Sequence, residues 1–281
     1  MQWKPDWGLR GRMALTMFLL FALYIVFVGV LSLYFGRLLP VVGFMGIFLF
    51  VQFFFSDKLA LYSMGAHVVE EEEADAEMRK VHRMVSRLSQ QADLPKPKVA
   101  VADTSIPNAF AAGRSRKSST VCVTRGILRA LDDDELEGVL AHELAHIRNR
   151  DVVMMVLGQG VASIVAIVAQ WAVLLTGDND IADFFLAIVV GQITQMLVML
   201  FVFAISRYRE YVADGDAASE IGSGEPLASA LEKIQRGSER ARESGVDAQV
   251  NALCIFGEER GLARLFATHP PVEKRIERLR R

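Results

Sequence analysis

Two long stretches of this chain are almost free of charge, and they limit its fold before any motif is considered. Residues 13–55 contain one charged side chain, Arg37, and residues 152–205 contain three, Asp178, Asp180 and Asp183. Inside them, uncharged apolar runs extend over Met13 to Phe35, Leu38 to Phe55, Val152 to Thr176 and Phe184 to Ile205. Each approaches or exceeds the ~20 residues that a helix needs to cross about 30 Å of hydrocarbon, so four transmembrane helices are expected, arranged as two hairpins. Pro40 falls in the first turn of the second run, where its missing N–H costs no helical hydrogen bond. The first run is too long for a signal peptide and lacks a small-residue cleavage site after it; it is expected to stay as an anchor.

The rest of the chain is rich in charge of both signs, with 31 basic and 33 acidic residues in 281 and a net charge of −2. That polar portion is long enough to build a core of its own, which excludes both a simple soluble domain and a pure membrane bundle. No basic run with interleaved aromatics occurs, so nucleic acid is not an expected partner. Cys122 and Cys254 are too few for a disulfide framework; they fit a reducing compartment and small buried filler. Lys4, Arg10 and Arg12 precede the first run, Lys58 follows the second, Arg148 and Arg150 precede the third, and Arg207 and Arg209 follow the fourth. The connection from Gly177 to Asp183 has no basic residue. Both termini and both large polar segments are therefore expected on the cytoplasmic side. The resulting layout is a cytoplasmic N-terminus (1–12), a hairpin (13–55), a polar segment (56–151), a second hairpin (152–205) and a final polar segment (206–281). No ionisable group sits in the middle of a span, which leaves a pump or channel nothing to work with. Gln159, Gln170, Gln192 and Gln195 suit helix-to-helix contacts.

In the first polar segment, Met78, Val81, Val85 and Leu88 are spaced for one face of a helix that follows the acidic run from Glu70. After Pro95 and Pro97, the stretches Lys98 to Ala102, Asn108 to Ala112 and Ser119 to Thr124 read as short strands of a small sheet. Asp132 with Glu135 three residues on forms a capping-box pattern and opens a helix to about Asn149. In the last segment, helical stretches from Glu225 are interrupted by an expected loop around Ser238 to Asp247.

The Asp132 helix contains His142-Glu143-Leu144-Ala145-His146. Histidines at i and i+4 share a helix face, the spacing that lets both imidazoles reach one Zn2+, and Glu143 falls beside the metal as a base for its water. A catalytic zinc has three protein ligands, so a third must come from elsewhere: His67, His82, His269 or a carboxylate. Glu210 fits best, because Asp214 lies one turn further on the same helix face and is placed to support a histidine ligand. If the helices continue out of the bilayer, His146, six residues before the third run, and Glu210, five after the fourth, stand roughly 8 to 9 Å above it.

The segments Ala141-His142-Glu143-Leu144-Ala145-His146, Ser206-Arg207-x-Arg209-Glu210-Tyr211-x-Ala213-Asp214 and Thr268-His269-Pro270-Pro271-Val272-Glu273-Lys274-Arg275-Ile276, in that order, resemble the HtpX-type membrane zinc metalloproteases, over nearly the whole chain. The resemblance implies a gluzincin fold, zinc held by His142, His146 and Glu210, Glu143 as the catalytic residue, and proteolytic quality control of membrane proteins in a prokaryotic cell membrane. The segment Pro107 to Gly113 also resembles that family's strand beside the cleft. The fold class expected is α+β, mainly α: four transmembrane helices with a cytoplasmic zincin-like protease domain containing a small β-sheet.

Peptide-bond hydrolysis is the chemistry such a site supports, with Glu143 taking a proton from water and passing it to the leaving amine. Polypeptide substrates would add a strand to the edge formed by Asn108, Ala109, Phe110 and Ala111. His269, Arg275 and Tyr211 are available to stabilise the developing oxyanion; His67 and His82 read as incidental. Three alternatives compete. An intramembrane zinc protease would bury its motif in an apolar span, whereas charge surrounds this one. A prenyl-protein endopeptidase would use the same zinc chemistry but needs a larger enclosed chamber. A catalytically silent zinc-binding scaffold or chaperone-like binder would have no use for Glu143.

Overall fold

The computed structural model describes residues 38–177, 180–243 and 269–281. The first expected span, Met13 to Phe35, lies outside them, as do Cys254 and the end of the expected loop at Ser238 to Asp247. The described chain is mainly helical, with one small mixed sheet. It divides into two compact units, one holding residues 55–153 and the described residues beyond 206, the other the described residues up to 54 together with 154–206.

The first unit is built on the sheet. Strands β1 (Ala66–Val68), β2 (Lys98–Ala102), β3 (Ala109–Gly113) and β4 (Ser119–Thr124) lie in the order β1-β2-β4-β3. β2 and β4 run parallel, and β1 and β3 are antiparallel edge strands. Alternation sends Val99, Val101, Val121 and Val123 to one face, where they join Met78, Val81, Val85 and Leu88 of α2 (Ala76–Gln91) in the main core. Ala100, Ala102 and Cys122 go to the other face, against Leu61 and Met64 at the end of α1 (Leu38–Ser63). Each fully buried valine or leucine contributes roughly 1.5–3 kcal/mol.

After the short helix α3 (Arg125–Ala130), the expected capping box opens α4 (Asp133–Asn149). The Asp132 side chain accepts from the Glu135 N–H at 3.1 Å, and the Glu135 carboxylate accepts from the Asp132 N–H at 3.0 Å. Glu135 also accepts from Ser229 Oγ on α7 (Glu225–Glu243). Gly138 lets α7 approach closely, since a Cβ there would meet the Leu227 backbone nitrogen at 2.9 Å. α8 (Val272–Leu279) completes this unit and buries Val272 and Arg275.

The second unit contains parts of the two described helices that are long and apolar enough to cross a membrane, α5 (Asp151–Thr176) and α6 (Ile181–Ile221). They pack through Ala162, Val165, Val198, Val202 and Ile205, with Gly158 against Val202 and Gly191 against Gln170. Small residues at such contacts permit close backbone approach. α1 covers the second expected span.

Four differences from the sequence reading have local causes. The edge ladder starts at Ala109 rather than Asn108, because the Asn108 N–H donates to Thr124 Oγ1 at 2.9 Å instead of to a strand carbonyl. β1, three residues long, is too short to show an alternating pattern. α7 continues through Ser238 to Glu243, so the first half of the expected loop is helix. Finally, α6 is one unbroken helix of 41 residues, but α4 does not run into α5: Arg150 takes a left-handed conformation (φ 58°) and ends it. A continuous helix therefore links the fourth apolar run to Glu210, whereas the third run and His146 lie on separate helices.

Candidate metal centre

α4 presents His142 and His146 on one face, as i,i+4 spacing requires, and α6 presents Glu210 and Asp214. The His142 and His146 Nε2 atoms are 3.0 Å apart. Glu210 Oε2 is 3.6 Å from His142 Nε2, and Glu210 Oε1 is 3.4 Å from His146 Nε2. Among the described residues these three form the group of side chains able to share a metal ion. His67 is exposed on β1, and buried His82 contacts the Val69 carbonyl at 3.0 Å through Nε2; both are incidental to this centre.

The outer partners fix what the three ligand atoms offer. His142 Nδ1 lies 3.1 Å from Asp214 Oδ1, and His146 Nδ1 lies 2.6 Å from Asp151 Oδ2. The His146 Nδ1–H donates to Asp151, and His142 Nδ1 faces Asp214 within ion-pair distance; with the proton on Nδ1 in each ring, both Nε2 atoms present lone pairs, and these converge with the Glu210 carboxylate. Lone pairs so close repel one another unless a cation lies among them. A tetrahedral ion with bonds of about 2.0–2.1 Å requires ligand separations of about 3.3 Å, so this donor set fits zinc. Burial opposes ionisation of Glu210, yet His269 and Arg275 hold its pKa well below the usual carboxylate range.

Glu143 is buried next to the ligands, and burial pushes its pKa above the ordinary value. The Ala111 backbone N–H lies close enough to Glu143 to offset part of that rise. Sheet parity explains that contact. The Thr124 N–H donates to the Asn108 carbonyl at 3.0 Å, so residues 108, 110 and 112 direct their main-chain groups into β4, and 109, 111 and 113 direct theirs to the free edge. Ala109 is buried whereas Ala111 is half-buried, so the open part of the edge lies at Ala111, beside Glu143. Asn108, engaged with Thr124 at both its N–H and its carbonyl, has no main-chain group left for a ligand.

His269 is partly open, with Nδ1 3.1 Å from Glu210 Oε1. Arg275 is fully buried and already committed: Nε and Nη2 donate to the two oxygens of Asp214, and Nη1 is 2.8 Å from Glu210 Oε2. Tyr211 lies beneath the guanidinium of Arg278, 4.6 Å from the ring centroid. Of the three candidates for an oxyanion donor, Arg275 is therefore a structural clamp. Sequence reasoning missed Asp151 and the role of Arg209, which contacts Asp151. The available signal was a charged pair, Arg150-Asp151, at the edge of an apolar run.

Comparison with known proteins agrees with this geometry. The family model described as Peptidase family M48 matches residues 75–281. A protein named Protease HtpX homolog from Halobacterium salinarum is 48% identical over 95% of this chain and all of its own length. One of the same name from Moorella thermoacetica is 40% identical, covering all of this chain and 96% of its own. Protease HtpX homolog 2 from Methanosarcina mazei is 38% identical over 99% of this chain and 96% of its own. The crystal structure of S. mikatae Ste24p has a similar fold, with a TM-score of 0.58 and 16% identity, over 92% of this chain and 61% of that one.

Proposed function

We propose that this chain, which belongs to peptidase family M48 and is a membrane-bound metalloprotease of the HtpX type, cleaves internal peptide bonds at a zinc ion held by His142, His146 and Glu210. The observation that carries the reading is the convergence of two Nε2 lone pairs and one carboxylate beside buried Glu143. Zinc, when bound, polarises a scissile carbonyl and lowers the pKa of water toward 7. Glu143 takes the water's proton and delivers it to the leaving amine; its burial, which raises its pKa, suits a group that must both accept and release a proton near neutral pH.

An extended substrate pairs with the free edge of β3 at Ala111, so main-chain hydrogen bonds supply affinity with little demand on sequence. That suits a protease acting on misfolded or damaged membrane proteins of varied sequence. His269, the most open polar side chain next to Glu210, donates to the developing oxyanion. The lysine and arginine distribution supports four spans in a prokaryotic cell membrane, with both termini and the metal centre on the cytoplasmic side. A silent scaffold has no need for Glu143 in its observed place.

The test is cleavage of an unfolded substrate in detergent by the wild type and by Glu143→Gln, with zinc content measured in both. Cleavage by the wild type and at least a hundredfold loss in the zinc-loaded variant is expected. Equal rates would remove the assigned role of Glu143.

A further inference from the structure

His146 and Asp151 are five residues apart, which on an unbroken helix would turn their side chains about 140° from each other. The left-handed Arg150 separates α4 from α5, and Asp151, the first residue of α5, returns its carboxylate to the preceding helix. One oxygen contacts His146 Nδ1 at 2.6 Å, and the other meets the guanidinium of Arg209 on α6. Asp151 is 7% exposed and Arg209 3%.

Burying a guanidinium is costly unless its donors are paired. Arg209 Nε, Nη1 and Nη2 all lack a hydrogen-bond partner among the described residues, so its contact with Asp151 is an ion pair, and burial presses its pKa down to about 10. An ion pair so incompletely satisfied is a weak source of stability. What it does supply is a carboxylate oxygen held against one nitrogen of one zinc ligand.

We propose that Asp151 and Arg209 are a positioning pair for His146: Asp151 accepts its Nδ1–H, fixing the tautomer that aims Nε2 at the metal, and Arg209 holds Asp151 in place. This rests on the zinc reading above. Each histidine then has its own carboxylate, and each carboxylate its own arginine: Asp214 with Arg275 behind His142, and Asp151 with Arg209 behind His146.

The experiment uses the full chain in detergent, with zinc affinity from chelator competition and the absorption spectrum of the Co2+ form. Asp151→Ala is expected to weaken zinc binding 10–100-fold and to shift the Co2+ bands, while Asp151→Asn, still an acceptor for Nδ1–H, recovers most of the affinity. Arg209→Met weakens binding in the wild type and adds nothing in the Asp151→Ala background, since its effect passes through Asp151. Wild-type affinity with an unchanged Co2+ spectrum in folded Asp151→Ala overturns the proposal, as do equal Arg209→Met losses in both backgrounds. Should Asp151→Ala not fold by circular dichroism, Arg209→Met and Arg209→Lys carry the comparison. Shifted Co2+ bands with a modest loss of affinity support the pair, and wild-type values in both refute it. A wild type that binds no zinc defeats the metalloprotease reading itself, a result distinct from any of these.

Discussion

Arg275 grips both oxygens of Asp214, at 2.7 and 2.8 Å, and the same Asp214 Oδ1 stands 3.1 Å from His142 Nδ1. The third guanidinium nitrogen of Arg275 reaches Glu210. One buried cation from the last helix therefore faces one proposed zinc ligand directly and a second one through its carboxylate. Replacing it with methionine would leave two buried carboxylates without their counter-charge, at a cost of about 3–5 kcal/mol. Arg275→Met is expected to lower the denaturation midpoint and the zinc affinity together. Arg275→Lys should not rescue either, because an ammonium cannot bind Asp214 in a bidentate manner. Denaturant titration and zinc stoichiometry check both.

Glu210 is the one proposed ligand that comes from α6. Glu210→Ala removes a third of the protein donor set, and stoichiometric zinc is expected to be lost on dialysis. Full retention would exclude it as a ligand. In the wild type, zinc at a thousand times its dissociation constant should stabilise the fold by about 4 kcal/mol. Thermal unfolding with and without a chelator measures that difference, which Glu210→Ala should abolish.

Ala111 presents its N–H to the free edge of β3 and to Glu143. Proline is tolerated on an edge strand where the N–H faces outward, so Ala111→Pro should fold. It removes the N–H that is proposed to serve both a substrate strand and Glu143. A fall in kcat/KM of at least about tenfold is expected, at unchanged zinc content, the amount a lost hydrogen bond to a charged group implies.

Cys122 is buried in the middle of β4, and burial pushes its thiol pKa from 9.0 up to about 12, with the Glu143 charge adding to the effect. The thiolate is the reactive form. In a Cys254→Ser background, native protein should therefore resist a thiol reagent at pH 8 and react only after denaturation. The linkage has a definite sign: the folded pKa is the higher one, so stability from this group is intact below pH 9 and lost as pH rises toward 12. Rapid labelling of the native protein at pH 8 would contradict the buried placement.

Much of the centre was legible in the sequence because it is written in local periodicity. His142 and His146 share a face by helical spacing alone, as do Glu210 and Asp214, and the capping box at Asp132 marks where α4 begins. The apolar runs that become α1, α5 and α6, the face of α2 and three of the four strands follow from the same short-range rules. Family resemblance implied Glu210 as the third ligand; local spacing only made it the best candidate.

What the sequence determined by itself was the set of candidate ligands and the elements that bear them, since helical pitch and strand alternation act over a few residues. Only the tertiary structure decided how those atoms are held. Arg275 reaches Asp214 across 61 positions. Asp151 reaches His146 only because the chain breaks at Arg150, and Ala111 reaches Glu143 because β3 forms the sheet edge beside α4. A buried charge needs a partner, but which partner it finds depends on which elements pack together, and no spacing along the chain encodes that.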